Sequence, residues 1–186
     1  ARIHPLSVLV ALKIYEQGHG EKGNLSWSPI RQIVDALDTA YYLSFGNVES
    51  TGKRMMLALD VSGSMSWGKI ASMPITPRVG SAAMAMVTAR TEANYIVTAF
   101  SHQMVPVSIS PRQRLDDVVK ILENISMGGT DCAQPMLYAL MSRIQIDAFV
   151  VYTDSETWFG KTHPVQALEM YRQKLGIPAK LIVVGM

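Results

Sequence analysis

Met55-Met56-Leu57-Ala58-Leu59-Asp60-Val61-Ser62-Gly63-Ser64 decides how this chain folds. Five apolar residues in succession leave no polar face, the pattern of a strand covered on both sides, and the carboxylate closes the run where such a strand meets its loop. Runs of the same character stand at 95–100, at 149–154 (ending Thr153-Asp154) and at 180–184. Helical spacing fills the gaps, at 79–91, 112–125, 135–143 and 164–175. A shorter run, 104–108, has Pro106 inside it and belongs at a sheet edge, since proline cannot donate to a ladder. The alternation predicts an α/β fold with an open, mostly parallel, doubly wound sheet and helices on both faces.

Upstream, residues 3–17 read as a helix that begins near Pro5 and stops at Gly18. A glycine-rich turn follows over 18–24. Ser28-Pro29 then opens a second helix, with Ile30, Ile33, Val34, Leu37 and Tyr41 on one apolar face, ending before Gly46. Two helices joined by a loop are one unit of a helical repeat, and no second copy is present. The chain is therefore divided into residues 1–50, the terminal helical-repeat segment, and 51–186, the α/β domain. Because it opens at Ala1 and stops at Met186 within an apolar run, it is expected to be a piece of a longer protein.

The 186 residues are 48% hydrophobic and 17% charged, which excludes a disordered or coiled-coil chain. With 17 Lys and Arg against 15 Asp and Glu, nothing in the composition attracts phosphate backbones wholesale. The lone Cys132 permits no internal disulfide and suits a reducing compartment, so the expected location is cytoplasmic. The longest apolar stretches fall far short of the roughly 20 residues a membrane helix needs.

In a doubly wound sheet the ligand crevice lies beyond the carboxyl ends of the strands. There, an extended Asp60-Val61-Ser62-Gly63-Ser64 loop would place three oxygen-bearing side chains on one side, Gly128-Gly129-Thr130-Asp131 adds a hydroxyl, and Asp154 closes another strand. Two carboxylates and three hydroxyls suit a hard divalent ion, Mg2+ or Mn2+. Asp131 and Glu156 adjoin these positions as acceptors behind the ligands or as solvated charges.

In these same residues the chain resembles the metal-ion-dependent adhesion site (MIDAS) of von Willebrand factor A domains: DxSxS after an apolar strand, a Thr in a Gly-Gly-Thr-Asp loop, and Thr-Asp after another apolar strand. Leu57 to Met65, Gly128 to Cys132, Thr153 to Thr157 and Ile177 to Val183 resemble the A domain of the Ro ribonucleoprotein autoantigen family in its bacterial form. His4-Pro5, Tyr15, Gly18-His19-Gly20 and Thr51-Gly52-Lys53-Arg54 are similar to the end of that family's helical-repeat ring. The resemblance implies a Rossmann-like A domain of an RNA-binding protein concerned with noncoding RNA and its quality control. It further implies a metal site of Asp60, Ser62, Ser64, Thr130 and Asp154 that binds an acidic side chain of a protein partner. Noncoding RNA is then a partner of the intact protein, held mainly by the ring that is absent here, and no membrane is involved.

The resemblance implies no enzyme. The alternative is a magnesium-dependent phosphohydrolase or phosphotransferase with Asp60 as nucleophile, although Ser62 stands where such chemistry wants its general acid. A structural domain with no working site is a third reading. Gly46 to Arg54 imitates a phosphate loop but has five residues between its glycines and Arg54 in place of Ser or Thr. Cys132 reads as a small buried hydrophobe, and His19, His102 and His163 as structural or surface residues. The methionines at 55, 56, 84, 86, 136, 141 and 170 read as core filler. Lys53, Arg54, Lys69 and Arg78 read as scattered solubility charges, with an RNA-contacting patch as the other possibility.

Overall fold

The structure, a computed structural model, describes residues 2–126, 128–154 and 159–186. Five strands, β1 (Met55–Asp60), β2 (Tyr95–Phe100), β3 (Met104–Pro106), β4 (Ala148–Thr153) and β5 (Lys180–Gly185), form one sheet in the order β3-β2-β1-β4-β5. β1 pairs in parallel with both β2 and β4, and β4 with β5. Only β3 runs antiparallel, at the edge and with Pro106 at its end, as the proline required.

Side chains of a strand alternate between faces, and the two faces carry different helices. Leu57 and Leu59 of β1, Val97 and Ala99 of β2, and Val150 and Tyr152 of β4 bury against α3 (Pro77–Thr91) and α4 (Leu115–Glu123). Met56 and Phe149 face the other way, against α5 (Gln134–Met141) and α6 (Pro164–Leu175). On that side the Tyr171 hydroxyl donates to Ile144 O at 2.8 Å and accepts from Ile146 N–H at 2.6 Å, fixing α6 to the segment that enters β4.

α1 (Pro5–Gln17) and α2 (Arg31–Leu43) lie on the same side as α3, where Leu9, Leu12, Tyr41 and Phe45 belong to the same core as Leu57 and Leu59. Gly18 ends α1 in the left-handed region (φ 76°), and a side chain there would collide with the Trp27 carbonyl. α2 starts three residues after Ser28, because Ile30 stays extended after Pro29. Its expected apolar face is only half used: Tyr41 is buried and Val34 and Leu37 pack on the core, whereas Ile30 and Ile33 are exposed. Two of the methionines read as core filler are likewise outside, Met141 (79% exposed) and Met170 (39%), since α5 and α6 turn those positions to solvent. Among the described residues no helix is long and apolar enough to cross a membrane.

A candidate cation site at the switch point of the sheet

β1 feeds α3 on one face of the sheet, while its neighbour β4 feeds α6 on the other. The loops after these two strands therefore diverge and leave a crevice between them. Asp60 ends β1 and Asp154 follows β4 directly, so both carboxylates stand at this one place.

Asp60 is almost fully enclosed (1% exposed), and each of its oxygens accepts a hydrogen bond: Oδ1 from Ser62 N–H at 2.7 Å, Oδ2 from the Thr153 hydroxyl at 2.6 Å. Burial pushes its pKa above the ordinary value, and these hydrogen bonds pull against that rise. Ser62 Oγ lies 3.2 Å from Ser64 Oγ, and the Ser64 hydroxyl donates to Asp154 Oδ1 at 3.1 Å. Ser62 is buried, Asp154 half-buried and Ser64 exposed, so the cluster opens to solvent on the Ser64 side.

Thr130 comes from the loop between α4 and α5 and is buried, its carbonyl accepting from Phe159 N–H at 3.1 Å. Asp131 N–H donates to Ser101 O at 3.0 Å, tying that loop to the end of β2. The buried Asp131 carboxylate accepts from Ala133 N–H at 3.0 Å and from Gln134 Nε2 at 2.8 Å; it braces its own loop and is not a solvated charge. Gly128 is a glycine because His102 packs on it so closely that a Cβ would overlap the imidazole. Glu156 lies outside the described residues.

The donor set can be tested against a divalent ion. Two cis ligands about 2.1 Å from an octahedral ion are about 3 Å apart, and the Ser62–Ser64 and Ser64–Asp154 oxygens stand at 3.2 and 3.1 Å. The residues present thus fit a small hard cation. Among the described residues no three or more His, Cys, Asp or Glu side chains gather as a metal site. A site here depends on hydroxyls, which favours Mg2+ or Mn2+ over softer metals.

Cys132 is the buried small side chain that the sequence suggested, and the stretch before β1 has a structural role. The Cys132 thiol is buried, and its pKa is pushed up to about 11, chiefly by desolvation, which leaves it a poor nucleophile. The Thr51 and Gly52 N–H groups, in the stretch that imitates a phosphate loop, donate to the buried Glu92 carboxylate at 2.7 and 3.1 Å. Burial raises the Glu92 pKa, but these bonds and those of the neighbouring hydroxyls outweigh it and hold the carboxyl below its ordinary value.

Of the four basic residues read as solubility charges, Arg54 pairs with Asp147 at 2.6 Å and Lys69 with Glu21 at 2.8 Å. Arg78 is no surface charge at all: it is 2% exposed and lies behind the Asp60–Ser64 loop. The hollow between α1, α2 and α4, about 210 Å³ and lined in part by Lys13, Glu16, Asp38 and Arg114, is remote from this chemistry.

The family profile of the Ro60 vWA domain matches residues 54–186. The chain is 48% identical to the RNA-binding protein RO60 of Deinococcus radiodurans over 186 residues, and 38% identical to that of Caenorhabditis elegans over 187. All of this chain aligns with them, but it spans only 35% and 29% of their lengths. The crystal structure of the Deinococcus radiodurans Ro (RSR) protein superposes with a TM-score of 0.93 over 99% of this chain and 37% of that one, at 48% identity. This chain belongs to the Ro60 von Willebrand A domain family.

Proposed function

From that membership we propose that the chain is the metal-binding A domain of a Ro-type RNA-binding protein concerned with noncoding RNA and its quality control. Its site would hold Mg2+ or Mn2+ on Asp60, Ser62, Ser64, Thr130 and Asp154 and present the ion to an acidic side chain of a protein partner. The names of the relatives support the RNA connection, and the cation role rests on one observation: the chain of oxygens from Ser62 through Ser64 to Asp154, spaced as cis ligands of a small hard ion.

When bound, the ion supplies a positive centre with an open position for an acidic ligand. The protein's own residues determine how that centre is presented. Neutral hydroxyls leave an ion more electrophilic than a full set of carboxylates would. Thr153 and the Ser62 N–H hold Asp60 in a fixed orientation, and the exposed Ser64 leaves a path for a partner side chain.

A nucleophilic Asp60 is a poorer match, because Ser62 stands two residues on, where such chemistry wants its general acid, whereas Asp60 can hold an ion through a bridging water. Cytoplasmic location and the division into a helical segment over 1–50 and an A domain over 51–186 belong to the same proposal. Titration calorimetry with Mg2+ and Mn2+ tests it, with binding expected in the native chain and lost in Asp154→Ala. Equal affinity in the two chains overturns the assigned site.

A further inference from the structure

Arg78 occupies a position that is unfavourable for a guanidinium on three counts. It is 2% exposed, and removing a cation from water costs several kcal/mol unless it is paired. It is the second residue of α3, at the positive end of the helix dipole. Its Nε has no hydrogen-bond partner, and among the described residues no carboxylate lies within ion-pair distance; the negative charges that act on it from further off are Glu123 of α4 and, after it, Asp60. Its hydrogen bonds are long ones, from Nη2 to Ser62 O at 3.3 Å and to Val61 O at 3.5 Å.

Those two carbonyls belong to the loop that carries the proposed ligands, and this suggests what offsets the cost. Without an ion, Asp60 and Asp154 bring two negative charges into one small cluster, and Asp60 is fully buried there. A cation behind the loop meets part of that charge, and the N-terminus of α3 adds to it. We propose that Arg78 is the built-in counter-cation of this loop, a positioning residue that holds Asp60 to Ser64 in place when no divalent ion is bound and is displaced electrostatically from that role when one binds. The proposal rests on the cation site above. Arg78 and an ion would then compete for the charge of Asp60, so Arg78 stabilises the ion-free form and weakens ion affinity.

The test pairs ion titration with thermal melting for the native chain, Arg78→Met and Arg78→Lys. In Arg78→Met the melting temperature is expected to fall further in EDTA than in saturating Mg2+, with Mg2+ affinity about threefold tighter or more. Arg78→Lys, which keeps the charge, is expected to restore both towards native values. An equal loss of stability with and without Mg2+, or weaker binding in Arg78→Met, overturns the role of Arg78 while leaving the cation site standing. A native chain that binds no Mg2+ overturns the site itself, and this proposal with it. Should Arg78→Met fail to fold in EDTA, recovery in Mg2+ is expected; failure in both conditions counts against the proposal.

Discussion

The Thr153 hydroxyl donates to Asp60 Oδ2 at 2.6 Å, joining the ends of two neighbouring parallel strands at the place where their loops part. Thr153 thereby fixes one oxygen of the buried carboxylate, and the Ser62 N–H fixes the other. Asp60 is thus the shared acceptor of two donors, one from its own loop and one from β4.

Asp154→Ala is accordingly the cleaner probe of ion binding, and it is expected to abolish Mg2+ binding in calorimetry with little loss of fold. Asp60→Ala should also abolish binding, but with about 1–3 kcal/mol of lost stability from the two hydrogen bonds it removes. For the native chain, an ion that binds only the folded state adds about 2.7 kcal/mol at a hundredfold excess over Kd. A melting temperature indifferent to Mg2+ at every concentration would count against a preformed site.

No turnover is expected. The Cys132 thiol is held protonated, and among the described residues no acid or base stands out around the oxygen cluster beyond the carboxylates assigned to the ion. An acidic partner should instead bind in a form weakened by EDTA and by Asp154→Ala. Magnesium-dependent hydrolysis of a phosphate ester that disappears in Asp60→Asn would favour phosphoryl chemistry, and partner binding that survives both treatments would move the contact elsewhere.

Structured small RNA should bind the isolated chain weakly or not at all. The net charge is only +2, Arg54 and Lys69 are engaged by Asp147 and Glu21, and Arg78 is inside. Filter binding at moderate salt checks this; tight binding with a steep salt dependence would reveal a phosphate-contacting surface.

Asp147 supplies a pH signature separate from the cation site. The Arg54 guanidinium and its backbone N–H hold the Asp147 carboxyl at about 2, below the ordinary 3.8. A carboxyl lowered in the folded state stabilises the fold above its unfolded pKa and loses that contribution as pH falls through the folded value. Asp147→Asn should therefore cost about 1 kcal/mol at neutral pH, after allowance for screening at this partly exposed pair. Denaturation curves of native and variant chains should draw together between about pH 4 and pH 2. A constant difference across that range would sink the assignment.

Strand positions were legible because a central parallel strand must be apolar on both faces, which marks 55–60 and 149–153 unmistakably. Asp60 and Asp154 were legible because strand ends place them; Ser62 and Ser64 do join them, but through a 3-10 turn at Gly63–Ser66 and not through the extended loop that alternation required. Thr153 and Arg78 were not. A threonine at the close of a β-rich run looks like strand composition, and an arginine after Pro77 looks like a solvated helix start. What separates them from that reading is a contact across 93 residues in one case and burial in the other. The exposure of Ile33 and Met141 was equally hidden, because periodicity locates a face without saying what covers it.

The order β3-β2-β1-β4-β5 also bears on when the oxygen cluster comes into being during folding. Ser64 meets Asp154 across 90 residues and Asp60 meets Thr153 across 93, so closing these contacts requires one of the longest loops in the chain. Contacts so far apart in sequence are slow to form. A nascent chain released before β4 would carry the DxSxS loop with nothing opposite it. Cation affinity should consequently emerge late, together with the β1–β4 pairing, and would report that the central sheet has closed.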